Sequence, residues 1–152
     1  MAGWPTVLLS AELGDLAEDV RRLFQELGVP TGGRSAAGDC IPPIDVLETD
    51  EAFEVLMDVP GVPAESIRVL LKGTVLVIAG EKWVAGPAAG AGGYHLVERA
   101  SGRFARVIRL TAPVDASRAR ARLVQGELRV TLPFLPERRG LGLEIPVETP
   151  AP

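Results

Sequence analysis

From Phe53 to Leu132 the apolar residues recur at every second position in short runs, and Gly or Pro stops most of these runs. Phe53, Val55, Met57 and Val59 alternate with Glu54, Leu56 and Asp58 before Pro60-Gly61. Ile67, Val69 and Leu71 alternate with Arg68, Leu70 and Lys72 before Gly73-Thr74. A period of two puts one set of side chains on one face of an extended chain, so each run predicts a half-buried β-strand. The stretch 75–79 is apolar on both faces, which marks a central strand. A short alternating strand is expected at 94–99 and a longer one through Phe104, Arg106, Ile108 and Leu110. Ala119, Ala121 and Leu123 then lead through Gln125-Gly126 into Leu128, Val130 and Leu132, a second hairpin closed by Pro133. Short strands with no interleaved helices predict an all-β chain built as a two-sheet β-sandwich.

The first part of the chain has a different period. Over 10–27, Leu13, Leu16, Ala17, Val20, Leu23, Phe24 and Leu27 recur at steps of three and four, the pattern of an amphipathic helix. Ser10 is its expected N-cap, and Gly28 with Pro30 ends it. The stretch 31–39 (TGGRSAAGD) reads as a linker. A helix ahead of a linker has no domain of its own to pack on, so its apolar stripe must meet the sandwich, another subunit or an external protein. The chain divides into an N-terminal helical arm (1–42), a β domain (43–136) and a short extended C-terminal tail (137–152).

At 152 residues there is room for one domain plus arms. A net charge of -4 argues against a strongly basic nucleic-acid binder, and the eight arginines between Arg99 and Arg129 have few aromatic residues among them for base stacking. Acids dominate 35–67, which holds no Lys or Arg, so the two charge blocks can neutralise one another within the sandwich or across a dimer. Cys40 is the single cysteine, which excludes an intramolecular disulfide framework and fits a reducing compartment. The start of the chain lacks a signal-peptide pattern and no apolar run approaches the ~20 residues of a membrane helix, so a cytoplasmic protein without membrane contact is expected.

The chemistry of catalysis is thin. Neither Lys72 nor Lys82 stands in a Gly-Lys-Ser/Thr loop, so no ATP cradle of that type is expected. His95 is the sole histidine and reads as structural or interfacial. The Gly-rich 86–93 lacks dinucleotide-loop spacing, and Asp50-Glu51 reads as a solvated turn. No catalytic residue, cofactor or metal site is expected, and the chain reads as a non-enzyme.

Several segments together resemble the α-crystallin family of small heat-shock proteins in its bacterial and plant form. Pro43-Ile44-Asp45-Val46 with Glu48-Thr49-Asp50 resembles the family's first strand, and Phe53 to Val62, ending Asp58-Val59-Pro60-Gly61-Val62, its second strand and turn. Ser101-Gly102-Arg103-Phe104 with Arg106 and Arg109-Leu110 resembles the strand after the dimerisation loop. Gly126-Glu127-Leu128-Arg129-Val130-Thr131-Leu132-Pro133 matches the closing Gly-x-Leu-x-Val-x-x-Pro signature, and Ile145-Pro146-Val147 is similar to the C-terminal Ile-x-Ile/Val anchor. Two features depart from the pattern: Thr111 stands where Pro usually follows Leu110, and the loop 82–93 is rich in Gly and Ala where charges are common.

The resemblance implies an immunoglobulin-like α-crystallin domain in an ATP-independent chaperone, a homodimer assembling into a larger homo-oligomer that binds unfolding clients. It implies a dimer interface in which Tyr94, His95, Leu96, Val97, Glu98 and Arg99 cross to pair with the partner near Ile44, Asp45 and Val46, with Arg106 facing a partner carboxylate. It implies that Ile145, Pro146 and Val147 anchor oligomers. The expected receptor is a groove between two strand edges lined by Ile67, Val69, Leu71, Ala119, Ala121 and Leu123, where small Ala119 and Ala121 leave room for the knobs. The stripe Leu13, Leu16, Val20, Phe24 and Leu27, with Trp4, is the expected client-binding surface. The rival reading is a monomeric co-chaperone-like β-sandwich adaptor, for which the tail triplet would have no anchoring role.

Overall fold

The computed structural model describes residues 13–28, 40–83, 86–87 and 89–136. Within them the alternating runs form β1 (Ile44–Glu48), β2 (Ala52–Asp58), β3 (Ile67–Lys72), β4 (Val75–Lys82), β5 (Gly102–Arg109), β6 (Arg120–Val124) and β7 (Glu127–Pro133). They pair antiparallel into a four-stranded sheet in the order β1-β2-β7-β6 and a three-stranded sheet in the order β3-β4-β5. The expected two-sheet sandwich is therefore present, with the hairpins where the turn residues placed them. Lys72 pairs with Val75 across Gly73-Thr74, with Gly73 at φ 60. Val124 pairs with Glu127 across Gln125-Gly126, at φ 50 and 81, the double left-handed conformation of a tight hairpin turn.

Period two decides which side chains are interior. Phe53, Val55 and Met57 from β2, Leu128, Val130 and Leu132 from β7, Leu76 and Ile78 from β4, and Phe104 and Ile108 from β5 share one buried core. Burying each such side chain contributes about 1.5–3 kcal/mol relative to leaving it in water. β4 is central in its sheet, as its two apolar faces predicted: Leu76 and Ile78 face the core, while Val77 and Ala79 face outward and are equally inaccessible.

What covers Val77 and Ala79 is α1 (Leu13–Glu26), the predicted helix, closed by Leu27 and by Gly28 at φ 70. The expected cap, Ser10, lies outside the described residues.

Two hydrogen bonds, one backbone and one from a side chain, set how the sheets are stacked. Cys40 N–H donates to the Arg103 carbonyl (2.9 Å) and Arg106 Nη1 donates to the Pro42 carbonyl (2.7 Å), so β5 lies beside β1. The opposite edges, β3 and β6, consequently share the other flank. One expectation fails in the single chain: 94–99 forms no strand and is exposed and irregular. Alternation gives a segment a face but no hydrogen-bonding partner, and no edge of the chain's own sheets is paired with it.

Candidate functional site

Of the expected groove residues, Ile67, Leu71, Ala119 and Leu123 belong to one core cluster. Ile67, Val69 and Leu71 stand on the inner face of β3, the edge of the three-stranded sheet, while Ala121 and Leu123 stand on β6, the edge of the other. Ala119 closes the 3-10 turn Ala116–Arg118 just ahead of β6. Ile67 is buried; Leu71, Ala119 and Leu123 are half-buried and packed on the core, whereas Val69 and Ala121 are exposed. The flank therefore has an apolar floor with two open positions on it. Arg118, Arg120 and Arg122 stand on and before β6, whereas Arg68 and Lys72 of β3 alternate with the groove residues and pair with α1 on the outer face. Arg120 Nη1 donates to the Ala119 carbonyl at 2.7 Å, which keeps its guanidinium at the β6 edge. The anchor residues Ile145, Pro146 and Val147 lie outside the described residues.

On the opposite flank β1 is an open edge. Ile44 and Val46 point into the core while Asp45 is exposed. Tyr94, His95, Leu96, Val97, Glu98 and Arg99 are all exposed, Leu96 at 73% and Val97 at 66%, and none of the described sheets includes them. Arg106 sits on the inner face of β5, and within the chain it serves the Pro42 carbonyl. Burial pushes its pKa down from the ordinary arginine value.

Of the proposed client stripe, Leu16, Val20 and Phe24 are buried and Leu27 is half-buried, all against the outer face of β3-β4-β5. Leu13 opens the helix, and Trp4 lies outside the described residues. Among the three surfaces the stripe could meet, in this chain it meets the sandwich. The ion pairs agree: Asp19 Oδ2 lies 3.1 Å from Lys72 Nζ, and Glu26 Oε2 4.0 Å from Arg68 Nε. Sequence reasoning missed the surface beneath, formed by Leu70, Val75, Ala105 and Val107 around Val77 and Ala79. Its signal was available in the unalternating apolar run 75–79. It also missed Arg103, buried at 4% exposure against the Phe24 ring.

The charge blocks meet in part within the sandwich, where Arg129 of β7 pairs with Glu54 of β2 at 3.3 Å. Among the described residues no three His, Cys, Asp or Glu side chains cluster as metal ligands. No helix among them is long and apolar enough to cross a membrane.

Residues 45–147, which include both groove edges and the tail triplet, match the Hsp20/alpha crystallin family. The chain belongs to that family. As a member of the Hsp20/alpha crystallin family it has a chaperone role, and the family's members are not enzymes. It is 35% identical to the 21.9 kDa heat shock protein of Oryza sativa subsp. japonica, over 92% of this chain and 76% of that protein. It is also 35% identical to the 17.6 kDa class I heat shock protein 1 of Arabidopsis thaliana, over 76% of this chain and 73% of that one. The Hsp20 sandwich superposes on heat shock protein 16.0 from Schizosaccharomyces pombe with a TM-score of 0.58 and 32% identity, covering 72% of this chain and 99% of that chain.

Proposed function

We propose that the chain is an ATP-independent holdase, a homodimer-based oligomer that binds unfolding proteins and keeps them from aggregating. The observation that carries this reading is the pair of strand edges, β3 and β6, on one flank with Val69 and Ala121 exposed above an apolar floor. Ile145 and Val147 stand two residues apart, so an extended tail would point both knobs the same way, and the fixed φ of a proline between them suits such a backbone. Burying one Ile and one Val contributes about 3–6 kcal/mol before ordering costs. One docking is therefore weak and exchangeable, and many hold an oligomer by avidity.

The other flank supplies the dimer in this reading. The exposed 94–99 segment crosses to the open edge of a partner's β1, where its backbone finds the ladder it lacks in the single chain. Arg106, with donors to spare beyond the one used on Pro42, is placed in this reading to meet a partner carboxylate. Residence in the cytoplasm belongs to the same reading and is supported by the single, buried thiol of Cys40.

The test is light-scattering mass for the full chain and for its Ile145→Ala, Val147→Ala form, beside a heat-labile enzyme kept soluble without ATP. The reading expects a large oligomer, a smaller particle for the variant, and protection of the enzyme. A monomer at every concentration would instead favour the adaptor reading.

A further inference from the structure

β6 is an open sheet edge, joined to β7 alone. Alternating with its groove residues are Arg120 and Arg122, and Arg118 ends the turn ahead of it; all three are exposed. This edge is short of acids. Arg118 lies near enough to Asp115 to lower that carboxyl's pKa. Arg120 donates to the Ser117 and Ala119 carbonyls at 3.4 and 2.7 Å. Arg122 stands directly across the ladder from another cation, Arg129, whose own acidic partners are Glu54 and Glu127. Like charges directly opposite one another destabilise a sheet, so a carboxylate brought to this edge from outside it relieves a repulsion.

The tail carries carboxylates in a fixed relation to its knobs. From 140 to 152 the only charged residues are Glu144, immediately before Ile145, and Glu148, immediately after Val147. In an extended segment Glu144, Pro146 and Glu148 would face opposite to Ile145 and Val147. β6 has the same alternation, so a tail laid along its open edge with the knobs inward would have its acids on the arginine side. One register suits both faces. With Pro146 beside Arg120, the knobs lie beside the small Ala119 and Ala121, and the acids beside Arg118 and Arg122. A two-residue shift one way sets a knob against Leu123 and an acid against Val124; a shift the other way sets them against Ser117 and Ala116 of the turn. Proline, which has no amide proton, is tolerated at the outermost position of a sheet.

We infer that Glu144 and Glu148 are specificity-determining residues of the tail anchor, reading Arg118 and Arg122 while Ile145 and Val147 fill the space beside Ala119 and Ala121. This selection rests on the tail docking proposed above and names what the groove chooses: an extended segment with an acid on each side of its two knobs.

The receptor for the test is the full-length Ile145→Ala, Val147→Ala chain, whose own tail has lost its knobs. The probe is a fluorescent peptide with the sequence of residues 140–152, read by anisotropy. A peptide carrying Glu144→Lys and Glu148→Lys should bind about twofold to thirtyfold more weakly than the original, the range for two exposed ion pairs. A receptor that also carries Arg118→Glu and Arg122→Glu should reverse this preference, and its binding of the lysine peptide would show that it is folded. A receptor carrying Arg99→Glu and Arg109→Glu instead has the same net charge and should keep the original preference. Equal affinity of the two peptides for the starting receptor, or a preference reversed as fully by the changes at Arg99 and Arg109, would overturn the inference. A third peptide, with Ile145→Ala and Val147→Ala, separates this inference from the docking it rests on. If the third peptide binds as tightly as the original, or the original does not bind, knob docking fails and takes the inference with it. If the third peptide binds far more weakly while the charge changes have no effect, docking stands and the inference alone falls.

Discussion

Arg103 of β5 sets its guanidinium 5.3 Å from the centroid of the Phe24 ring of α1, fastening the arm to the sandwich. An exposed contact of this kind is worth ~0.5–1 kcal/mol and a desolvated one ~2. Phe24→Leu keeps most of the apolar contact and removes the ring's attraction for the cation. Amide protection in α1 should fall between about twofold and thirtyfold by hydrogen exchange, while the central strand β4 keeps its protection. Unchanged exchange in α1 would deny the contact any part in docking.

Gly80 is needed for a different reason. A Cβ built on it would stand 2.5 Å from Phe104 Cζ and 2.6 Å from the Ser66 carbonyl oxygen, and the second is backbone that cannot swing away. Gly80→Ala should cost about 1–3 kcal/mol in urea unfolding, the range for overpacking a closed core. A denaturation midpoint equal to the parent's would mean that the Phe104 ring and the Ser66 turn can give way without cost.

The β6-β7 turn holds one residue in an unfavourable conformation. Gln125 has φ 50, a region where a residue other than Gly, Asn or Asp loses about 1–2 kcal/mol. Gln125→Asn makes the turn Asn-Gly and should raise stability by up to about 1 kcal/mol. Gly126→Ala should act in the opposite direction, since Gly126 has φ 81 and its added Cβ would stand 2.9 Å from Pro60 Cα. Thermal unfolding of the two variants should therefore shift in opposite senses from the parent.

Arg106 joins the segment ahead of β1 to the far sheet through its 2.7 Å hydrogen bond to the Pro42 carbonyl. Arg106→Met preserves much of the side-chain length and removes the donor. The expected loss is about 1.5–3 kcal/mol, the range for a hydrogen bond involving a charged group. Exchange of the Cys40 amide, which bonds Arg103 of the same strand, should rise in parallel. No change in either quantity would make the hydrogen bond incidental.

Asp115 gives the fold an acid-sensitive turn. The Ser117 hydroxyl does most to hold its carboxyl below the ordinary carboxylate value; desolvation pulls the other way, and the Ser117 amide, the Arg118 charge and the Arg118 amide add to the lowering. A carboxylate depressed in the folded state contributes stability above its unfolded value of about 3.9 and loses it as the pH falls through the folded one. Stability of the parent should therefore decline more steeply below about pH 4 than that of Asp115→Ala. Parallel curves for the two proteins in that range would contradict the assignment.

Much of this molecule is written locally. The two-residue period of Phe53, Val55 and Met57 assigns them to an inner face, and Gly73-Thr74 and Gln125-Gly126 put the hairpins where they occur. The steps from Leu16 to Leu27 and the stop at Gly28 define a helix with one apolar side. The strands that carry the proposed groove residues were legible too, because Ile67, Val69 and Leu71 share one face of a strand and Ala121 and Leu123 share one face of another.

Only the tertiary structure decided which surfaces meet. A period assigns a face to an element but says nothing of which other face it packs against, so it left the helix three destinations until α1 settled on Val77 and Ala79. Nor could alternation make 94–99 a strand, because a strand is completed by a ladder with a neighbouring strand and none of the described sheets includes that segment. Arg103 and Gly80 depend on the same fact: burial and close approach are properties of two elements together, α1 on β5 for Arg103 and β4 beside Phe104 of β5 and the turn at Ser66 for Gly80, and absent from either element alone.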